Sequence, residues 1–226
     1  MWVKLRKLWN LPERKLFLIE AMWSRFLPMI KKIHSLLDEG IIGEIKVLNA
    51  DFGFRSDWNA ESRLFNAKLA GGAILDVGVY TISFASSILG CHPSKIVGVS
   101  NLGQTGVDEQ TGIVMGYDSG QLAMLSCAVR TNTMNEAHII GTEGYINIPY
   151  FWKAKEATIC ISYGNTRFID MHFDGMGYSF EAQEVMDCIR EGKLESNIMP
   201  LEESISIMEI MDEVRKQVGV RYPNEK

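Results

Sequence analysis

The sequence predicts an α+β fold in which an antiparallel or mixed open sheet carries helices on one face. Three observations predict it. Seven short apolar runs, separated by turn signals, occupy residues 94–173. A mostly apolar helical segment precedes them at about residues 76–89, and two further helical segments follow from residue 179. The chain has 226 residues, 46% of them hydrophobic, which is enough to bury one core.

The first quarter of the chain predicts two strands, a helix and a loop. "LFLIEAMW", at residues 16–23, is a short apolar run typical of a buried strand. Residues 26–37 place apolar side chains on one helical face, and Gly40 is a plausible helix stop. Residues 42–54 predict a second strand, and the polar, irregular residues 56–70 predict a loop.

Seven strands are predicted next, and short turns join several of them. The turns are at residues 118–120, 141–144 and 164–166, where Gly, Asn, Asp and Ser cluster. Because these connections are short, neighbouring strands are expected to pair antiparallel. The strand sequences are "SKIVGVS", "TGIVMGY", "QLAMLSCAV", "EAHIIG", "YINIPY", "EATICIS" and "RFIDMHF". Helices are predicted at residues 179–191 and 201–217, separated by Gly192 and Pro200.

Composition excludes several classes of function. The formal net charge of -5 argues against general nucleic-acid binding, which requires a basic face. The four cysteines form no CxxC pair, which favours free thiols in a reducing, cytoplasmic compartment. The four histidines lack the spacing of a metal site, so no metal is expected. The sequence contains no run of about 18 apolar residues, so no membrane span is expected.

The helical segment that begins in "GGAILDVGVY" carries a narrow polar stripe. At 100° per residue, Asp76, Tyr80, Ser83 and Ser87 share one side, and apolar residues cover most of the remaining circumference. A helix that is apolar on most sides is buried, so its stripe is expected to line a cleft or an internal hydrogen-bond network. The glycine pair before it allows unusual backbone dihedral angles or a close approach.

Two interpretations of this stripe remain open on the residues alone. Tyr80 could donate a proton in a cleft, with Asp76 orienting a ligand hydroxyl or the tyrosine itself. Alternatively, Asp76 caps the helix and Tyr80 is a core aromatic residue. Arg130, which follows a predicted strand, could hold an anionic or polyol ligand, but a surface arginine is the favoured interpretation.

Five segments carry a family resemblance: "EAMWSRFLP", "GEIKVLNADFGF", "GGAILDVGVY", "GVDEQT" and "GTEGYINIP". Together with residues 196–223 they resemble the Gfo/Idh/MocA family of NAD(P)-dependent oxidoreductases. Within it they are most similar to the branch of dimeric dihydrodiol dehydrogenases, which also act as D-xylose dehydrogenases. The resemblance covers nearly everything after residue 15.

The resemblance implies roles for individual residues. Asp76 matches the family aspartate that holds the substrate or the catalytic network, and Tyr80 matches the residue that donates or accepts the proton. Trp23 matches an aromatic residue near the active cleft, so it is a candidate wall for a sugar or diol substrate. A hydrophobic contact between domains is the alternative for Trp23.

The sequence departs from the family in its nucleotide half. It contains no GxGxxG, the phosphate-binding turn of a Rossmann domain, and no "EKP" element, whose lysine pairs with the acid/base residue in the family. The sequence therefore predicts a substrate half without a complete Rossmann domain. Residues 1–24 are interpreted as a remnant of that domain, and residues 25–226 as the substrate-binding and oligomerisation domain.

Two functions are compatible with these residues and with the family resemblance. The first is the substrate half of an oxidoreductase that uses NAD or NADP, inactive as this chain alone. The second is a non-enzymatic module for dimerisation or small-ligand binding. Either one predicts a homo-oligomer through the sheet face, because few helices are available to cover that face.

Overall fold

The computed structural model describes residues 16–161 and 164–223, and they form one mixed sheet with helices against it. The four α-helices are α1 (Pro28–Asp38), α2 (Val79–Leu89), α3 (Tyr178–Arg190) and α4 (Leu201–Val218). The eight strands are β1 (Ile45–Gly53), β2 (Lys95–Leu102), β3 (Asp108–Gly116), β4 (Leu122–Ala128), β5 (Glu136–Gly141), β6 (Gly144–Pro149), β7 (Glu156–Ile161) and β8 (Asn165–Asp170).

Short helical segments connect these elements. A π-helical turn over Ile74–Gly78 leads directly into α2. Three 3₁₀ helices lie at Trp23–Phe26, Ala67–Leu69 and Phe151–Lys153. The first of them runs into α1, whose first residue is Pro28; proline suits this position because its missing N–H would have no helical partner there.

The sheet is open, with strand order β2-β3-β4-β1-β5-β6-β7-β8. Strands β1 and β4 pair parallel, and every other neighbouring pair is antiparallel. The parallel pair is separated along the chain by a long crossover that includes α2, as parallel pairing requires. The predicted α+β class and its mixed open sheet are therefore confirmed.

The two faces of the sheet differ in composition. One face packs under α2 and α4; a Cβ added at Gly98 on β2 would lie 2.8 Å from Val214 on α4, so glycine permits this close approach. Leu48, Ile113 and Leu125 are buried on the same side. The opposite face leaves Val97, Val114 and Met124 exposed. Helices thus cover one face, as predicted.

The N-terminal segment differs from its prediction. Residues 16–22 form no strand, and Trp23 begins a 3₁₀ helix. The Leu18 N–H donates to the carbonyl of Leu194 at 3.1 Å, but no strand among the described residues lies alongside to form a ladder. An apolar run becomes a strand only where a neighbour accepts its backbone hydrogen bonds. Residues 1–15, most of the interpreted Rossmann remnant, lie outside the described residues.

Among the described residues, one stretch is long and apolar enough, by length and composition alone, to cross a membrane. It spans Ala67–Leu89, and 61% of its most apolar window is buried inside the protein. The sequence analysis expected no membrane span, because it found no run of about 18 apolar residues. The core helix of a folded domain has these same properties, and here α2 packs directly against the sheet.

Candidate active site

A pocket of about 420 Å³ opens beside the start of α2. Asp76 and Tyr80 line it from the helical segment, residues 20–22 line it from the N-terminal segment, and α4 closes the third side. Its remaining lining residues are mainly apolar: Ala70, Leu75, Val79, Met199, Ser204, Ile207, Met208 and Met211. The polar stripe therefore reaches a cleft, as the sequence predicts.

Gly71 and Gly72, just before this helical segment, lie close to neighbouring backbone and side-chain atoms. A Cβ at Gly71 would lie 2.7 Å from the carbonyl oxygens of Arg63 and Leu64. Gly72 has a φ of +117°, and a Cβ there would approach an Asp108 carboxylate oxygen to 2.3 Å. Neither position tolerates a side chain, which explains why both residues are glycine.

Asp108 on β3, and not Asp76, caps the helical segment. Its Oδ2 accepts the backbone N–H of Ile74 at 2.8 Å and the hydroxyl of Thr111 at 2.9 Å. The π-helical turn has no cap from its own preceding side chain. The alternative in which Asp76 is the helix cap is therefore wrong, because Asp108 of β3 already caps this segment.

The polar stripe faces the 3₁₀ helix at Trp23–Phe26. The indole N–H of Trp23 donates to the Tyr80 hydroxyl oxygen at 3.1 Å, and Nε of Arg25 donates to the Ser83 hydroxyl at 2.8 Å. At the open end, Arg63 forms an ion pair with Asp76. Tyr80, Ser83 and Asp76 of the stripe thus each bind a side chain from outside the helical segment, through a hydrogen bond or an ion pair.

Arg25 fixes the 3₁₀ helix between α2 and α4. Its side chain is buried, and it donates to Glu203 of α4 as well as to Ser83 of α2. Burial lowers the pKa of Arg25, while the carboxylate of Glu203 opposes that shift. Removing Arg25 or Glu203 would leave the charge of the other residue unpaired in a largely buried place. The ion pair therefore sets the position of the neighbouring Trp23.

Aromatic rings surround Tyr80; the aromatic group comprises Trp23, Phe52, Tyr80, Trp152 and Tyr178. The Phe52 ring lies edge-on to Tyr80 with centroids 5.6 Å apart, and it stacks on Trp152 at 3.7 Å. Trp23 contacts Tyr80 and Tyr178 with centroids at 6.5 and 4.8 Å. These ring contacts hold the Tyr80 side chain at the edge of the pocket.

Burial, and to a smaller extent the neighbouring charges, raises the pKa of Tyr80, so its phenol stays protonated at neutral pH. The hydrogen bond from Trp23 lowers this pKa, and the charges of Asp76 and Glu181 raise it. Burial also raises the pKa of Glu181, with a contribution from Glu20. One carboxylate oxygen of Glu181 is buried without a hydrogen-bond partner. No lysine or arginine is among the described residues that line the pocket.

The structure brings three of the four residues singled out from the sequence into one place. Asp76 and Tyr80 line the pocket, and Trp23 contacts Tyr80 through a hydrogen bond. Arg130 has other contacts: it donates to the carbonyl of Ser56 at 2.6 Å and lies 5.8 Å from the Phe65 ring centroid. These contacts fasten the loop over residues 56–70 to the end of β4.

Several residues of the site were missed from the sequence. Phe52 could have been found, since it occupies an inward position of a strand with alternating burial. Trp152, Arg25 and Asp108 carry no local signal, because their partners are distant in the chain. Among the described residues, no group of three or more His, Cys, Asp or Glu side chains could hold a metal ion.

Comparison with known proteins decides the family. Residues 30–147 match the family model described as the GFO/IDH/MocA C-terminal domain, which is more than half of the chain. The chain belongs to the GFO/IDH/MocA family. This confirms the resemblance seen in the sequence, including the segment that carries Asp76 and Tyr80.

Curated relatives of this family member are dehydrogenases. The trans-1,2-dihydrobenzene-1,2-diol dehydrogenase of Mus musculus is 34% identical over 226 residues, covering 93% of this chain and 64% of the mouse protein. The enzyme of the same name from Xenopus tropicalis is 37% identical, covering 92% and 64%. The chain thus spans slightly less than two thirds of the length of these relatives.

Solved structures share the fold at low sequence identity. An aldose-aldose oxidoreductase from Caulobacter crescentus, complexed with glycerol, superposes with a TM-score of 0.80 at 18% identity, covering 90% of this chain and 62% of that one. A 3-ketoreductase from Actinomadura kijaniata, complexed with NADP and TDP-benzene, gives 0.83 at 21% identity, covering 96% and 67%. These similarities support the family fold.

Proposed function

We propose that this chain provides the substrate side of an NAD(P)-dependent oxidoreductase that acts on a sugar or a vicinal diol. The hydrogen bond from Trp23 to Tyr80 carries the proposal. Because an indole nitrogen only donates, it fixes the Tyr80 oxygen as an acceptor and leaves the hydroxyl hydrogen for another oxygen. A substrate hydroxyl or carbonyl in the pocket would be that partner.

The remaining side chains of the pocket suit the same role. Asp76 lies one helical turn before Tyr80 and can accept a hydrogen bond from a neighbouring substrate hydroxyl, while Arg63 holds its carboxylate in place. The apolar side chains of α4 that line the pocket limit the access of water. This arrangement fits a polyol: one hydroxyl at Tyr80, a second at Asp76, and the carbon skeleton against apolar walls.

The direction of the Tyr80 pKa defines what this residue does by itself. A phenol whose pKa is raised stays protonated at neutral pH, so Tyr80 is ready to donate a proton to a carbonyl oxygen. Accepting a proton from a carbinol requires a nearby cation that lowers the pKa. In the family that this sequence resembles, that cation is the lysine of the "EKP" element, which this sequence does not contain.

The residues of this chain do not fit a nicotinamide nucleotide. Such a nucleotide would accept or donate the hydride, and its pyrophosphate binds at a glycine-rich turn before a helix. The 226 residues contain no GxGxxG. We therefore assign this chain the substrate contacts and the proton, and we expect no hydride transfer by the purified chain alone.

A homo-oligomer formed through the open sheet face is the second part of the proposal. Five apolar side chains of β2, β3 and β4 are more than 40% exposed there: Val97, Val99, Val114, Leu122 and Met124. A contiguous apolar patch on a sheet favours self-association. The same feature supports the alternative of a non-enzymatic dimerisation module. We place the protein in the cytoplasm, on the basis of four free cysteines.

Two titrations of the purified chain separate these functions. In ¹H–¹⁵N spectra, D-xylose should shift the indole N–H signal of Trp23, because that group contacts Tyr80 at the pocket. Tyr80→Phe should weaken the shift, and Tyr117→Phe, at a buried tyrosine outside the pocket, is the matched control. NADPH fluorescence should remain flat. Unchanged Trp23 signals at saturating sugar would favour the dimerisation module instead.

A further inference from the structure

Residues 220–222, the C-terminal segment, cross from the end of α4 to the loop that carries Gly71. Gly219 ends α4 in a left-handed conformation with φ +84°, which turns the chain out of the helix. The N–H groups of Gly219 and Val220 both donate to the carbonyl of Arg215, at 2.9 and 3.0 Å. These hydrogen bonds fix the direction in which the C-terminal segment leaves the helix.

The side chain of Tyr222 joins this segment to the entry of the helical segment that carries Asp76. Tyr222 is 7% exposed, and its hydroxyl donates to the carbonyl of Gly71 at 2.7 Å, across 151 residues of sequence. The guanidinium carbon of Arg215 lies over its ring, 4.4 Å from the centroid. Arg215 is itself buried and forms an ion pair with Asp212 of α4. Tyr222 is therefore held to α4 through its ring and to Gly71 through its hydroxyl.

Apolar contacts also join the C-terminal segment to the residue that precedes Asp76. A small buried cluster, separate from the main core, is formed by Val107, Val220 and Tyr222. Leu75 packs against this cluster, and it lines the candidate active-site pocket as well. Because Leu75 is the immediate neighbour of Asp76 in the chain, the cluster supports the backbone that carries this carboxylate.

The backbone around Gly71 is held in turn against the loop that supplies Arg63. The N–H of Gly72 donates to the carbonyl of Leu64 at 2.9 Å. The side chain of Arg63 forms the ion pair with Asp76. A displacement of Gly71 would therefore move both the backbone that leads to Asp76 and the arginine that holds its carboxylate.

Tyr222 thus connects two walls of the candidate active-site pocket. One wall is α4, with Met208 and Met211 among its lining residues, and another is the helical segment that carries Asp76. Binding of a small ligand depends on how precisely such walls are placed, and residues behind them maintain that placement. A buried side chain that contacts both elements fixes the distance between them.

We propose that Tyr222 is a positioning residue for the substrate: it holds Asp76 at the distance from α4 that a bound polyol requires. This inference rests on the proposed function, and it adds to that pocket a residue that acts from behind the wall. Tyr80 has its own partner in Trp23. Loss of Tyr222 therefore weakens the contact of a substrate hydroxyl with Asp76 and leaves the contact at Tyr80 in place.

Titration of the purified chain with D-xylose tests this role. Tyr222→Leu removes the ring and the hydroxyl, and should lower the affinity about tenfold, as expected for loss of a hydrogen bond from a substrate hydroxyl to a carboxylate. Tyr222→Phe restores the ring and should recover part of the affinity. Tyr117→Leu, at a buried tyrosine outside the pocket, is the matched control and should bind D-xylose as the unchanged chain does. The indole N–H signal of Trp23 in the sugar-free protein should stay in place in all three variants.

A double variant separates positioning from a general loss of stability. If Tyr222 acts through Asp76, then Tyr222→Leu should cause no further loss of affinity in a chain that already carries Asp76→Asn. Tyr222→Phe enters the same comparison if the leucine variant does not fold. Additive losses, or equal affinities of the Tyr222 variants and the Tyr117 control, would overturn the inference.

A measurement without sugar distinguishes this inference from the proposed function. Amide hydrogen exchange at Gly72 and Ile74 reports on their hydrogen bonds to Leu64 and Asp108, and it should be faster in the Tyr222 variants than in the unchanged chain. An unchanged chain that binds no D-xylose would contradict the proposed function. Faster exchange would still support the anchoring of this segment by Tyr222, and exchange at the original rate would overturn it.

Discussion

The indole nitrogen of Trp23 donates a 3.1 Å hydrogen bond to the hydroxyl of Tyr80, across 57 residues of sequence. This bond joins the 3₁₀ helix before α1 to the first turn of α2. It also decides which way the phenol hydrogen can point. The geometry of one residue pair therefore links the fold of the N-terminal segment to the chemistry proposed for the pocket.

Trp23→Phe tests the electrostatic effect of this bond. The hydrogen bond from Trp23 lowers the pKa of Tyr80 against the larger effect of burial, so its removal should move that pKa further upward. The measurement is an alkaline titration of phenolate absorbance, with the signal of Tyr80 obtained by difference from Tyr80→Phe. A lower midpoint for Tyr80 in the Trp23 variant would show that the bond does not stabilise the phenolate.

Gly72→Ala should destabilise the fold by about 2 kcal/mol or more, because the backbone there has a positive φ and the new Cβ would collide with Asp108. Urea denaturation measures the free energy of unfolding. Gly116→Ala is the matched control, since its Cβ would make only ordinary contacts. Equal stability of both variants would mean that the structure around Gly72 can accommodate a side chain without loss of stability.

Asp108→Asn should change how stability depends on pH. Burial raises the pKa of Asp108, against the opposing effects of its hydrogen bonds. The folded state then binds this proton more tightly than the unfolded state does. The contribution of Asp108 to the free energy of unfolding therefore falls as pH rises from about 4 through its raised pKa. The asparagine variant cannot titrate and should lose that component of the pH dependence.

Denaturation of both proteins at several pH values between about 4 and 7 measures this component. The free energy of unfolding of the original chain, minus that of the asparagine variant, should decrease as pH rises. Asp118→Asn, in an exposed hairpin turn, serves as control. A difference that grows with pH would mean that hydrogen bonding to the Asp108 carboxylate outweighs its burial.

Met124→Lys tests association through the open sheet face. This side chain is 46% exposed at the centre of the apolar patch on β4, so a charge there should weaken self-association. Sedimentation at micromolar concentration should show an oligomer for the original chain and the 25.5 kDa species for the variant. Leu69→Lys alters an apolar residue of similar exposure outside the sheet and should leave the oligomer intact. A monomeric original chain would refute the association.

Local patterns in the sequence predicted most of the fold. The seven strands after residue 94 and the last two helices lie within a few residues of their predicted positions. Alternation and turn residues are short-range signals that survive folding. The predicted strand at residues 16–23 is wrong because strand formation depends on a neighbouring strand, which sequence pattern alone does not reveal.

The site was predicted only in part, for a related reason. Asp76 and Tyr80 lie four residues apart on one helical segment, so helical periodicity predicted that they share a side, although the structure makes the first part a π-helical turn. Arg25 and Glu203 are 178 residues apart, and Asp108 caps a turn 34 residues before it. Contacts of this kind exist only after the sheet and helices have packed, and no local pattern encodes them.

Hydride transfer by a chimera tests whether this chain supplies the substrate contacts and the proton of an oxidoreductase. The chimera joins this chain to the part of the mouse dehydrogenase that it does not match, and NADPH formation is followed with D-xylose and with a dihydrodiol. We predict turnover by the chimera, none by this chain alone, and a loss of about 100-fold or more in kcat for Tyr80→Phe, as expected for removal of a general acid/base. Turnover that is unchanged in Tyr80→Phe, or robust NADPH formation by the isolated chain, would contradict the proposed function.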